Sequence, residues 1–303
     1  MDFQRSFSFT SGAGPTFTVS TIPLPVHSPS GLWIRHPQDS RDDNQVDIHF
    51  HEKPGERTLD GLESQLSVTS IADQFRGGAY LASMEFGHFA EKQMLIEVLN
   101  STLERDFGKH VIPESLASTS IRVMELRFFG YWTDIGTIRS FYEANLDLTS
   151  TLPKFNFYSF PLSYLYKGRL LPGSKVNDCK LHQCVISDGC FLDGADIRRH
   201  SIIGLRSRIS AERPFPIPTL WAPTITKPWK RSWWNVRNGQ PNIGIGINVE
   251  IKEHAIIDKN ARIGNDVKII NAQGMEYFDS PNYYVRDHIT VIPSAVLPSG
   301  TVI

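Results

Sequence analysis

The chain has no run of the roughly 18 apolar residues that a bilayer-spanning helix needs, so its sequence offers no helical membrane segment. Its first residues, MDFQRSFSFTSGAG, also lack the apolar core of a secretory signal. They are Ser-rich and poor in acids, as transit peptides are. An ordinary surface terminus has the same composition and is the preferred reading. An excess of charge of either sign is missing too. With 31 Lys and Arg against 32 Asp and Glu, no long-range field points to a nucleic acid or a membrane surface as partner. Cysteine is scarce, with 3 in all, at Cys179, Cys184 and Cys190. They form no CxxC and have no neighbouring histidine cluster, so a zinc site is not expected. They read as reduced thiols of an intracellular protein, serving as small apolar residues. The 303 residues suffice for one or two domains with a sizeable core.

What the chain does have is a repeat. Val176, Leu181, Ile186, Leu192, Ile197, Ile203 and Ile209 follow one another at five or six residues. Ile251, Ile257, Ile263 and Ile269 step by six without a break, as do Leu297 and Ile303. An amphipathic helix would show steps of three and four and a half-buried strand steps of two. A six-residue period with turn-prone residues between predicts a parallel β-helix of hexapeptides, its aliphatic side chains stacked inside. One coil cannot bury its own apolar side, so several must stack.

The N-terminal half is patterned differently. Residues 17–24 (FTVSTIPL) and 46–54 (VDIHFHEKP) read as strands, and residues 90–104 and 138–150 as helices. Strands interleaved with helices predict part of an α/β sheet. Residues 25–45, rich in Pro, Ser, Asp and Asn, read as loop, and Pro153 with the aromatic stretch 156–166 reads as a linker. The expected domains are therefore 1–150 and 151–303.

Three strings suggest chemistry. In His51-Glu52-Lys53-Pro54, at a strand end, Lys53 suits a sugar phosphate and Glu52 the sugar hydroxyls; a solvated surface turn is the plainer alternative. Tyr80 to Met84 is an apolar strand carrying one hydroxyl, Ser83, and by itself reads as core. In Tyr131-Trp132-Thr133-Asp134-Ile135-Gly136-Thr137, Asp134 stands before a helix start and suits either a Mg²⁺ ligand or an N-cap.

The order EKP, YLASM, DFGKHVIP (106–113) and YWTDIGTIRSFYEANLDLT (131–149), followed by hexapeptides, resembles the glucose-1-phosphate adenylyltransferases. HSIIGLRSRIS (200–210), PNIGIG (241–246), AIIDKNARIGNDVKIIN (255–271) and the final PSGTVI extend the resemblance to the C-terminus. The resemblance implies a nucleotidyltransferase α/β domain followed by a left-handed parallel β-helix. It implies formation of ADP-glucose and pyrophosphate from ATP and glucose 1-phosphate, in starch or glycogen synthesis, with Mg²⁺. Glu52, Lys53 and Ser83 would bind glucose 1-phosphate, and Asp134 would be one of two metal aspartates. Arg169 and Lys259 would hold an anionic activator, for which cations are the suitable groups. The resemblance further implies a hetero-oligomer, a tetramer with homologous subunits, in a plastid. ISDGCFL (186–192) leans toward the large plant subunit and GLRSRIS toward the small one.

Four departures accompany the resemblance. No counterpart of the family's Gly-rich ATP loop is found, and the other metal aspartate would fall just before Met1, so the chain alone is expected to place ATP and Mg²⁺ poorly. A glycine expected after ASM is Glu85. Residues 211–236 break the repeat with prolines and tryptophans, and one or two coils are expected to give way to an unpacked loop there. Codons for WAPTITKPWK (221–230), shifted by one nucleotide, permit a GADYYET-like family string, which points to a frameshifted segment. The place of a second activator lysine is taken by Pro293. Two other readings compete: a non-catalytic regulatory subunit of the same heteromeric enzyme, and a hexapeptide acyltransferase using His182, His200 or His254.

Overall fold

A computed structural model describes residues 8, 10, 16–25, 34–37, 48–51, 79–101, 106–157, 170–197, 200–210, 219–220 and 240–303. The chain divides into two compact units, Met1–Trp132 and Thr133–Ile303.

The first unit is built on a five-stranded sheet. Its strands are β1 (Thr16–Pro25), β2 (Ile34–Pro37), β3 (Ile48–His51), β4 (Ala79–Phe89) and β5 (Arg122–Arg127), in the order β3-β2-β4-β1-β5. Only β1 and β5 run parallel; the other pairs are antiparallel. The strand β2 lies inside the stretch 25–45 that reads as loop. Its four residues, Ile-Arg-His-Pro, carry too little pattern to stand out and owe their strand to pairing with β3 and β4. Helix α1 (Lys92–Ser101) turns Met94 and Val98, one helical turn apart, onto Phe17 and Val19 of β1. Helix α2 (Ile112–Ala117) follows a short π turn, Phe107–Val111, and completes this core through Val111 and Ile112.

The second unit is a parallel β-helix with a helix, α3 (Ile138–Asp147), laid on it. One face stacks six strands, including Phe191–Asp193, Arg208–Ser210, Gly244–Ile245 and Arg262–Ile263. A second face, among the described residues, stacks five parallel strands extended by the antiparallel hairpin Tyr277–Asp279 and Tyr284–Arg286, and the third carries two separate two-stranded pairs. Leu192, Ile197, Ile203, Ile209, Ile251, Ile257, Ile263 and Ile269 are all buried in one cluster, as the hexapeptide period predicts. Ile186 is only half-buried against that cluster, and Val176 and Leu181 are exposed, at 42% and 40%. They belong to the first coil, where Lys175–Asn177 pairs on one side only, so no coil covers them among the described residues.

The corners of the coils explain why the period holds. Asp178, Gln183, Gly189, Gly194, His200 and Arg206, then Asn248, His254, Asn260, Asp266 and Asn271, all have φ between 37° and 73°. Each hexapeptide thus spends one residue in the left-handed region, where Gly, Asn and Asp are least strained. Cys190 is buried in the apolar stack, while Cys179 and Cys184 pack against it half-buried.

The break at 211–236 is only partly visible. Thr219 and Leu220 lie in register between the strands at Ile202 and Ile256, so a parallel rung persists inside the stretch. The expectation of an unpacked loop is corrected for these two residues; the others, 211–218 and 221–236, fall outside the described residues. The extra length is plain in the register. Ile209 pairs with Ile245 across thirty-six residues, whereas Ile245 pairs with Ile263 across eighteen.

Candidate functional site

In the first unit, Ser83 sits on β4, 3% exposed and directly opposite Thr21 of β1. Beyond Ser83 the register slips: Thr21 pairs with Ser83 but Val19 pairs with Gly87, so Met84, Glu85 and Phe86 bulge against Ser20 alone. Such a bulge bends a strand and re-aims its side chains. Next to it lies a cavity of about 370 Å³, lined among others by Ser83, Phe86, Gly87, Asp106 and Phe107. Gly87 is required by close approach, because a Cβ there would lie 2.6 Å from the Phe17 ring.

Asp106 was not singled out by the sequence reading, although DFGKHVIP was noted. Its Oδ1 accepts from the N–H groups of Gly108 and Lys109, each at 2.9 Å, capping the π turn. The Lys109 N–H is the main reason its carboxyl is held below the usual range; the Gly108 N–H and the charges of Lys109 and His110 act in the same direction. Deeper in the same sheet, Thr21 Oγ1 donates to Glu125 Oε1 at 2.6 Å, and Arg127 Nε meets Oε2 at 3.3 Å. This fixes Thr21, the direct neighbour of Ser83.

In the second unit, Asp134 is exposed, and its Oδ1 accepts from the Gly136 N–H at 2.8 Å. Asp134 is not the N-cap of α3. That position is held by Thr137, whose Oγ1 accepts from Ser140 N at 3.0 Å while Ser140 Oγ accepts from Thr137 N at 3.2 Å. The reciprocal bonds satisfy donors that a helix start leaves open. A hard divalent cation takes oxygen ligands, and the Asp134 carboxylate suits one coordination position. Among the described residues no cluster of three or more His, Cys, Asp or Glu accompanies it.

Lys259 is exposed at a coil corner, its N–H donating to Asp258 Oδ1 at 2.7 Å. Glu52, Lys53 and Arg169 lie outside the described residues. Ser83 therefore belongs to the first unit and Asp134 and Lys259 to the second.

Of the histidines considered for acyl transfer, His200 has a hydrogen-bond partner on its ring and His254 one on its backbone N–H. Thr149 Oγ1 donates to Leu146 O at 2.7 Å and also meets His200 Nδ1 at 2.9 Å. A hydroxyl has a single proton, so His200 must donate from Nδ1. The His254 N–H donates to the Tyr142 hydroxyl at 3.1 Å. Burial is the main cause that raises the Tyr142 phenol above its usual value. Arg139 Nη2 adds a bond to Asp287 O at 2.8 Å. These contacts seat α3 on an apolar row of outward-facing residues, Ile202, Ile256 and Val291, packed against Ile138, Phe141 and Leu146. No helix among the described residues is long and apolar enough to cross a membrane.

Comparison with known proteins accounts for both units. Residues 1–151 match the family model of nucleotidyl transferases, and residues 169–302 match that of the GLGC left-handed parallel β-helix domain. The chain is 35% identical over 262 residues to the glucose-1-phosphate adenylyltransferase large subunit 1, chloroplastic/amyloplastic, of Zea mays. The match covers 84% of this chain and 50% of the relative, so the chain spans about half the length of the curated relative it matches. A nucleotidyltransferase domain followed by a left-handed β-helix, with the strings that resembled it, places the chain in the glucose-1-phosphate adenylyltransferase family.

Proposed function

We propose that the chain serves the synthesis of ADP-glucose for starch or glycogen, as a plastid subunit of a hetero-oligomer, a tetramer with homologous subunits. The observation that carries this reading is the succession of the two family matches along one chain, together with the maize relative. A phosphate oxygen of glucose 1-phosphate attacks the α-phosphorus of ATP; the new P–O bond forms as the bond to pyrophosphate breaks. Charge spreads over the phosphoryl oxygens, so the protein's part is positioning and neutralisation. Residues 1–150 form the transferase part and 151–303 the β-helix part. Glu52 holds sugar hydroxyls, Lys53 the sugar phosphate, and Ser83 lines that pocket. Asp134 supplies a carboxylate to Mg²⁺, which when bound neutralises phosphate charge. Arg169 and Lys259 hold an anionic activator.

A second reading has its own support: the maize relative is named a large subunit, and no cluster of three or more His, Cys, Asp or Glu surrounds Asp134 among the described residues. In this reading the chain is a non-catalytic regulatory partner. Both are tested by ADP-glucose formation from ATP, Mg²⁺ and glucose 1-phosphate, with the chain alone and with a complete small subunit. Product from the chain alone establishes the catalytic reading. An altered activator response in the mixture only establishes the regulatory one, and silence in both refutes each.

A further inference from the structure

The strands β2 and β3 bring together histidines that the proposed reaction does not use. Three of the chain's 10 histidines, His36, His49 and His51, fall in these two four-residue strands. The strands pair antiparallel, with His36 opposite His49 and Ile34 opposite His51. Residues directly opposite in an antiparallel pair share a face of the sheet, and so do residues two apart on one strand. All three histidines therefore lie on one face. In the sequence only His49 and His51 stand close together. A register one residue different would send His36 to the other face, so the grouping is a product of the pairing. Among the described residues β3 pairs on one side only, which places the group at the edge of the sheet.

The spacing suits a metal ion. His49 and His51 stand about 7 Å apart along the strand, His36 and His49 about 5 Å apart across it, and His36 lies on the diagonal to His51 at about 7 to 8 Å. These positions form a compact triangle, and neutral imidazole is the commonest side-chain ligand for zinc and its neighbours in the transition series. Three protein ligands with a fourth position left to water is an arrangement that zinc accepts. Along the row that crosses the sheet at His51, the residues sharing its face are Ile34, Ala82 and Ile22, none of them a cation that would repel an ion. We propose that His36, His49 and His51 form a binding site for a divalent transition metal of the zinc class, which joins β2 to β3. The site is separate from the one proposed at Asp134, since Mg²⁺ takes oxygen ligands and this group offers nitrogen. It uses none of the three cysteines. Glu52 follows His51 directly, so a loaded site pins the strand end from which the proposed sugar-phosphate residues continue. Metal binding itself does not depend on those roles.

The test is Zn²⁺ binding by the full chain, stripped of metal and titrated in competition with a chromophoric chelator. One Zn²⁺ per chain is expected, and a large excess of Mg²⁺ should not displace it. His36→Gln, His49→Gln and His51→Gln are each expected to weaken binding about tenfold or more, since even the outer partners of metal ligands are worth that much. His182→Gln, at an exposed position of the β-helix, should leave the affinity unchanged. With Zn²⁺ about a hundredfold above its Kd, amide exchange should slow about tenfold or more at both 34–36 and 48–51, because opening of either strand must release the ion. Wild-type affinity in His36→Gln overturns the proposal, as the pair on β3 alone would then account for binding. Displacement by Mg²⁺, an equal loss of affinity in His182→Gln, slowing confined to 48–51, or no bound Zn²⁺ overturns it as well. Should a variant fail to fold, the exchange pattern of the wild type decides.

Discussion

The two units are stabilised by different kinds of contact. In the β-helix, each residue's partners lie one coil away, and the same local rule repeats: an aliphatic inside, a left-handed residue at the corner. In the first unit, β1 pairs with β4 and β5, which lie some sixty and a hundred residues further along the chain. Period alone builds the first kind of structure. The second depends on particular side chains meeting across long separations in the chain, with closure entropy to overcome before any contact forms. A repeat also spreads its stability over many equivalent positions, while the sheet concentrates it on a few irreplaceable ones such as Gly87.

The sharpest way to break this comparison lies inside the repeat. Ile257→Ala, at a fully buried position, is expected to cost about 2 to 5 kcal/mol in denaturant unfolding followed by circular dichroism. Val176→Ala, at the same place in the repeat but in the exposed first coil, is expected to cost less than about 1 kcal/mol. Equal costs would mean that coil position is irrelevant and the period alone decides.

A smaller loss is expected at the irregular place in the sheet. Gly87→Ala puts a methyl against the Phe17 ring, and overpacking of this kind costs roughly 1 to 3 kcal/mol. Thermal unfolding should show the transition of the first unit falling while that of the β-helix stays; a shared shift would deny that the units are separately stabilised.

Next in size is the cap of α3. Thr137→Ala removes the acceptor for Ser140 N, at about 1 kcal/mol. Hydrogen exchange should quicken in residues 138–141 and not in the strands beneath; quickening in both would make α3 part of the β-helix core.

The smallest effect has the opposite sign. Asp287 and His288 form the two-residue turn between Tyr284–Arg286 and Ile289–Ile292, both at positive φ, where such a turn favours glycine second. His288→Gly is expected to stabilise by about 0.5 to 1 kcal/mol in the same denaturant assay. A loss instead would reveal an indispensable histidine side chain.

The candidate site was legible in uneven degree. Ser83, Asp134 and Lys259 could be named because short strings carry them, but their surroundings could not. Nothing in YLASM announces that β4 bulges immediately after Ser83, since the slip is defined only against β1. Asp106 was visible as a letter in DFGKHVIP, and its cap on the π turn was not read. The signal was there, an Asp two residues before a Gly and three before a Lys at the start of an element. Asp134 was weighed as a cap because it precedes the helix; Thr137, with Ser140 three residues on, has the better capping pattern. The seat of α3 also had an unread signal. Where a strand faces the helix, its inward aliphatic has an outward aliphatic neighbour, as in Ile202-Ile203, Ile256-Ile257 and Val291-Ile292.

By itself the sequence determined the β-helix, its period and the coils that would be buried, because in a repeat the local rule is the global one. The family strings pointed to the nucleotidyltransferase family. Only the tertiary structure decided that Val176 and Leu181 stay exposed, that residues 34–37 form a strand, and that Thr219–Leu220 keep their rung in a broken stretch. It also decided that α3 and the residues just after it meet the β-helix at the corners of His254 and His200 and at the hairpin turn of Asp287. Each of these depends on a partner distant in the chain, and the energy of pairing or burial is a property of both partners together.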